Sequence, residues 1–196
     1  MNKHMMAAAL TLAATIAAPA GATTVALPAD GTWHEFDVDA AAPPAYGKGW
    51  IDFADGSPLS FRFTIAAGRT GTLAVVDAGF AGDTFTVTNF GATLGHTSGV
   101  AIGNVDGDVE FDFDAAFADA AYSHGVFTLG AGTYDISGAL LQSVHDDLAG
   151  TDLDATSGAL RLSVSPVPEP SGVALSLGGL AAIALLARRR RANPST

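Results

Sequence analysis

The densest run of chemically capable side chains is Asp106-Gly107-Asp108-Val109-Glu110-Phe111-Asp112-Phe113-Asp114, where every even position is a carboxylate. On an extended strand such residues share one face, about 7 Å apart. Like charges that close would invite a hard, oxygen-seeking cation such as calcium. The calcium-loop pattern itself does not fit: with Asn104, Asp106 and Asp108 at its positions 1, 3 and 5, Val109 stands where glycine is required and Ala115 where a bidentate glutamate is required. Asp106, Asp108, Glu110 and Asp112 are thus metal candidates only in outline. A solvated acidic face is the plainer reading, and neither a metal nor a cofactor is expected. A second set is aromatic: Tyr46-Gly47-Lys48-Gly49-Trp50 places two rings around a glycine hinge. Tyr46 and Trp50, with Trp33 and Tyr122, could stack on sugar rings, although core packing is the commoner fate of a tryptophan.

Catalytic patterns are missing. There is no Gly-x-Ser-x-Gly elbow, no His-Glu-x-x-His helix, no cysteine and no phosphate-binding glycine loop. His34, His96, His124 and His145 each stand alone, so a constellation such as His96, Ser98 and an aspartate would have to be assembled by the fold. Glu35 and Glu110 are the only glutamates between the terminal segments, and Asp146-Asp147 point apart on an extended chain. A glycosidase would need two placed carboxylates. The expectation is a non-catalytic domain.

The elements that must position these groups have a period of two. Leu59 to Ile65, Thr84 to Thr88 and Leu160 to Val164 alternate apolar and polar residues, the pattern of half-buried strands. Leu73 to Val76 and Val126 to Leu129 read as shorter, more buried strands. Trp33 to Val38, Gly49 to Phe53, Val109 to Phe113 and Tyr134 to Leu140 are further candidates. Ala54-Asp55-Gly56-Ser57-Pro58, Ala81-Gly82-Asp83 and Gly130-Ala131-Gly132 supply turn chemistry. Only Ala115 to Ala121 and Val144 to Ala155 could hold helical turns, and the second, rich in aspartate, reads better as a solvated loop. The predicted fold is all-β, an antiparallel β-sandwich or jelly roll.

Both ends differ in kind from this middle. Lys3 and His4 precede an apolar run from Met5 to Ala18, followed by small residues, the layout of a secretory signal peptide over 1–22 with cleavage after Ala20 or Ala22. At the other end, residues 171–187 carry no charge over 17 positions, at the lower edge of what crosses a bilayer. Glycines at 172, 178 and 179 weaken that helix, which suits a temporary anchor. Arg188, Arg189, Arg190 and Arg191 follow at once and would keep the C-terminus cytoplasmic by the positive-inside rule. Pro166, Pro168 and Pro170 exclude helix just before the span and present Glu169 in an extended conformation.

Setting aside Lys3, the four tail arginines and Glu169 leaves four bases and nineteen acids between Thr23 and Pro166, a net charge of −15. Such a charge repels phosphate backbones, so nucleic acid is not an expected partner, and it favours cations and cationic or neutral polymers. Without cysteine, the domain must rely on its core alone.

Val167-Pro168-Glu169-Pro170-Ser171, then the apolar span, then the arginine cluster, resembles the PEP-CTERM protein-sorting signal, a tail also found on some ice-binding proteins. The resemblance implies recognition by an exosortase, an integral-membrane cysteine enzyme that cuts near the motif, after removal of the leader by signal peptidase. It also implies export in a Gram-negative bacterium that makes extracellular polysaccharide. The order of parts is then an exported domain over 23–164, a sorting signal over 165–191 and a cytoplasmic end over 192–196. The middle also resembles the body of small PEP-CTERM passengers, in Val76 to Val87, Gly91, Leu94-Gly95, Ala116 to Asp119, Tyr122 to Gly125 and Leu129 to Tyr134. It departs at Gly138, where such passengers continue a smooth strand of β-branched residues. Thr84, Thr86 and Thr88 project in a row, but one row is not an ice-binding array, and the wet side of a strand accounts for it. The expected protein is a membrane-anchored precursor that becomes a surface or matrix component, associated with extracellular polysaccharide. The alternatives are a carbohydrate-binding module with a defined ligand cleft, or a secreted enzyme of unknown class.

Overall fold

The computed structural model describes residues 21–45 and 47–167, together with Leu180, Ile183, Ala184 and Arg188 of the tail. In chain order the elements are β1 (Thr23–Ala26), β2 (His34–Asp39), β3 (Leu59–Ile65), β4 (Arg69–Phe80), β5 (Thr84–Asn89), β6 (Ala92–His96) and β7 (Val109–Glu110). A short helix α1 (Phe113–Ala118) follows, then β8 (His124–Leu129), β9 (Gly132–Gln142), β10 (His145–Asp146), β11 (Thr151–Asp152) and β12 (Ala155–Pro166). One sheet has the order β1-β3-β9-β5-β6. The other has β2-β12-β4, with β8 along the first half of β4 and β7 against its end.

The eight principal strands pair from the outside inward. β2 pairs with β12, β3 with β9, β4 with β8 and β5 with β6, all antiparallel. One long hairpin folded over on itself gives this order, that of a jelly roll, and its two halves become the two sheets. Only the β1–β3 pair is parallel among the named strands.

The two sheets meet through the residues that the alternation singles out. Leu59, Phe61, Phe63 and Ile65 of β3 and Phe85 and Val87 of β5 pack with Phe36 and Val38 of β2, Leu73 and Val75 of β4, and Leu160 and Leu162 of β12. On the outer face of the second sheet Val76 and Ala159 form a smaller core with Ala116 and Tyr122, flanked by Trp33, Phe113 and Phe117. Burial on both faces explains why Leu73-Ala74-Val75-Val76 is continuously apolar instead of alternating.

The structure corrects four expected elements. Among the described residues Gly49 to Phe53 makes isolated bridges and no strand: Gly49 to Ala139 in one sheet, Ile51 to Asp37 in the other, and Ile51 to Pro58, because this segment crosses from sheet to sheet. Val109 to Phe113 is a strand only over its first two residues. The expected helical turn at Ala115 to Ala121 is α1, which begins earlier, at Phe113. Val144 to Ala155 carries the small β10–β11 hairpin and no helix.

Candidate functional site

A concave feature lies along β2, an edge strand of the second sheet. Phe36 and Val38 point into the core, so Glu35, Asp37 and Asp39 must point away from it. The connection from β2 to β3 then runs back along this edge, where Asp37 and Ile51 exchange backbone hydrogen bonds at 3.1 and 2.8 Å. The crossing buries Trp50 and Ile51 side by side and leaves the next aromatic, Phe53, 86% exposed. Two adjoining hollows share Asp37 and Phe53. One, of about 440 Å³, is also lined by Asp39, Pro43, Ile51 and Ser157. The other, of about 230 Å³, is also lined by His34, Glu35, Asp52 and Phe61.

This groove is acidic. Asp37 Oδ1 accepts from the Ser157 hydroxyl at 2.6 Å, Asp39 Oδ1 from the Ala41 amide at 2.9 Å and Asp52 Oδ1 from the Ala54 amide at 2.8 Å. Among the described residues, no second oxygen of these three carboxylates is hydrogen-bonded. Burial pushes the Asp37 carboxyl up; the Ser157 hydroxyl offsets part of this and the charge of Asp52 adds to it. Glu35 is raised by burial and then by Asp37. Among the described residues, the Nε2 of His34 is buried without a partner. Neither hollow is lined by a lysine or an arginine. Elsewhere, Lys48, Arg62 and Arg161 are each held in an ion pair, with Asp154, Asp135 and Asp114.

A second acidic pair is wholly internal. Asp77, on β4, and Asp83, just before β5, are both fully buried. Asp77 Oδ2 accepts from the Asp83 amide at 3.2 Å, and Asp83 Oδ1 from the Val144 amide at 2.8 Å. Burial, then the charge of Asp83, pushes Asp77 up to about 9, against the pull of three backbone amides. Burial raises Asp83 to about 6, against hydrogen bonds from Thr156, Val144 and Ser143. These carboxyls tie the β4–β5 turn to the segment after β9 and hold a proton at neutral pH.

The acidic run does not form the shared face that a strand would give it. Glu110 Oε1 accepts from the amides of Phe111 and Asp112, and Asp112 caps α1 by accepting from Asp114 and Ala115. Asp114 bonds the Trp33 indole N–H at 3.0 Å and the Arg161 guanidinium at 2.7 Å, while that guanidinium lies 4.2 Å over the Trp33 ring. Asp106 and Asp108 are exposed in the turn before β7. Among the described residues no group of three or more His, Cys, Asp or Glu could hold a metal ion.

The aromatic platform is likewise corrected at Trp50. Its ring is 2% exposed, stacks on Phe36 at 3.8 Å and has no face left for a sugar. The departure at Gly138 belongs to the same contact: a Cβ there would stand 2.5 Å from the Trp50 ring and 2.6 Å from the Thr86 carbonyl oxygen. Tyr122 is buried as well, with its hydroxyl donating to the Gly79 carbonyl at 3.3 Å. His96 bonds Thr86 at 3.1 Å, Ser98 accepts from the His124 amide, and His145 lies 3.2 Å from Asp152, so His96, Ser98 and an aspartate are not brought together. Thr86 and Thr88 both spend their hydroxyls on neighbouring strands.

At the C-terminal end, β12 continues to Pro166, and the Val167 amide donates to the Gly68 carbonyl at 2.9 Å. Arg188 is helical and exposed. Tyr46, the signal peptide up to residue 20, Pro168, Glu169, Pro170 and Arg189 to Arg191 lie outside the described residues, as does nearly all of the expected span. No helix among the described residues is long and apolar enough to cross a membrane.

No protein-family model matches the chain, and no curated protein does. Two solved structures are similar in part. The pre-peptidase C-terminal domain of collagenase from Bacillus anthracis shares 10% identity at a TM-score of 0.37, covering 75% of this chain and 99% of that one. PliG from Aeromonas hydrophila, a periplasmic lysozyme inhibitor of g-type lysozyme, shares 14% identity at a TM-score of 0.32, covering 73% and 96%. Neither likeness identifies a function.

Proposed function

We propose that this chain is an exported, non-catalytic surface or matrix protein, sorted by an exosortase through its C-terminal signal and associated with extracellular polysaccharide. The observation that carries the reading is the fixed order of Val167-Pro168-Glu169-Pro170, apolar run and Arg188 to Arg191. Where the folded domain stops supports it. Pro166 is the last residue of the ladder with β4, and Val167 makes the final bond to Gly68. A cut at or beyond Pro168 therefore breaks no β-sheet hydrogen bond among the described residues. At the other end Thr23 opens β1, and its amide donates to the Pro58 carbonyl at 2.7 Å, directly after the expected signal-peptidase site.

The test is the intact mass of the protein recovered from the surface and the medium of the bacterium that makes it. The expected species lacks residues 1 to about 22 and everything beyond the Pro168-Glu169-Pro170 neighbourhood. Glu169→Ala should leave the tail in place and the protein in the membrane fraction. A native protein that keeps its tail would make this a single-pass membrane protein and end the sorting reading.

A further inference from the structure

We propose that the groove along β2 is a binding site for an amine-bearing polysaccharide, in which Phe53 stacks on a sugar ring while Glu35, Asp37 and Asp52 receive its ammonium and hydroxyl groups. The inference rests on the polysaccharide-associated reading above and names the site and the ligand class for it. An exposed phenyl ring in a hollow that carboxylates line offers two complementary contacts. The ring face attracts the C–H face of a pyranose and any nearby cation. The carboxylate oxygens accept hydrogen bonds and repel anions.

The lining settles the sign of the ligand. Beside four carboxylates, Glu35, Asp37, Asp39 and Asp52, the only basic side chain among the described residues is His34. Such a groove has acceptors to offer and few donors, so it selects a ligand rich in donors and positive charge. A bare metal ion is the poorer match, because these carboxylates are strung along the groove instead of converging on one point. A simple polyamine would leave Phe53 and the apolar walls formed by Val25, Ile51 and Phe61 unused. The two hollows together fall in the usual range for small-ligand sites, roughly 300–1,000 Å³. Because they meet at Phe53, a chain of sugars can enter both at once.

The test is titration calorimetry of the full chain in detergent with a fully deacetylated β-1,4-glucosamine hexamer. Its N-acetylated counterpart, a β-1,4-glucose hexamer and spermine serve as comparisons. The glucosamine hexamer is expected to bind at least about tenfold more tightly than the two neutral hexamers. Phe53→Ala should weaken it by about tenfold, and Asp52→Asn should also weaken it. Phe53 is a surface side chain, so its variant should melt with the parent. The inference falls if the glucosamine hexamer does not bind, or if it binds no better than spermine and ignores Phe53→Ala. Equal binding of the glucose hexamer, lost in Phe53→Ala, would keep the groove but overturn the amine-bearing class. If polysaccharide isolated from the producing bacterium binds the parent and Phe53→Ala alike, the groove fails while polysaccharide association stands; if no glycan binds, both fail.

Discussion

At the residue scale the most consequential groups are Asp77 and Asp83, two carboxyls without a sequence signal of their own: Asp77 directly follows the apolar run Leu73 to Val76, and Asp83 closes the Ala81-Gly82-Asp83 turn. Their folded pKa values, about 9 and about 6, lie above the ordinary 3.8. The native state therefore holds protons that the unfolded chain releases, and the linkage has a definite sign. Their contribution is fully present below about pH 4 and is lost as pH rises through about 6 for Asp83 and about 9 for Asp77. Opposing them, exposed Asp30, Asp55 and Asp114 are lowered by hydrogen bonds, chiefly from Thr32, Ser57 and Trp33, so what they contribute is lost as pH falls. The melting temperature should thus be higher at pH 5 than at pH 8. Asp77→Asn keeps an acceptor for the Asp83 amide and removes the titration; it should flatten the alkaline limb and melt above the parent at pH 8. Parallel curves for the two proteins across pH 5 to 9 would show that this pair does not govern the slope.

At the element scale, what was legible in the sequence follows from how one-sided each strand is. β3 alternates through its whole length and appears with the bounds that its pattern sets, Leu59 to Ile65. β4 was legible only at Leu73 to Val76, because a second layer over its outer face erases the alternation and glycines 71 and 79 interrupt it. β6 carries one large apolar residue and a glycine, over which the Phe127 ring lies so closely that a Cβ at Gly95 would stand 2.7 Å from it. The groove was less legible still, because the connection that builds it buries two consecutive residues, Trp50 and Ile51, and no periodicity describes a segment that changes sheets. Phe53, directly before the Ala54-Asp55-Gly56 turn, was the available signal, since an aromatic at a turn has little core to enter. The crossing also yields a test of the corrected role of Trp50. Gly138→Ala should cost about 1–3 kcal/mol by overpacking, and Trp50→Ala about 3–5 kcal/mol by emptying the space between the sheets. In the double variant the costs should fall short of additive, because the added methyl then meets a vacated site. Denaturant melts of the four proteins measure this, and a Trp50→Ala protein as stable as its parent would place the ring outside the core.

At the scale of the whole molecule, the jelly-roll order decides which parts of the chain can be removed. β12 is the last strand among the described residues, yet it lies between β2 and β4, paired with β2 from Ala155 to Leu160 and with β4 from Ser157 to Pro166. A fold whose final strand is interior cannot be complete until that strand docks, and it cannot lose the strand without opening the second sheet. The described ladder with β4 ends at Pro166, and the Val167 amide adds one bond to Gly68. Removing residues 168–196 should leave the melting temperature within about 2 °C of the parent in the same detergent, the change expected when no buried contact is lost. Removing residues 155–196 should abolish cooperative unfolding altogether, because Leu160 and Leu162 leave the main core and Ala159 the outer one. The contrast matters for the proposed sorting. A protease that acts one or two residues past the final β-sheet bond releases a domain that is already finished, and the net charge of −15 between Thr23 and Pro166 favours its solubility once freed. Should the shorter truncation prove unstable, the tail would be part of the fold, and its removal by an exosortase would have to be accompanied by a replacement contact.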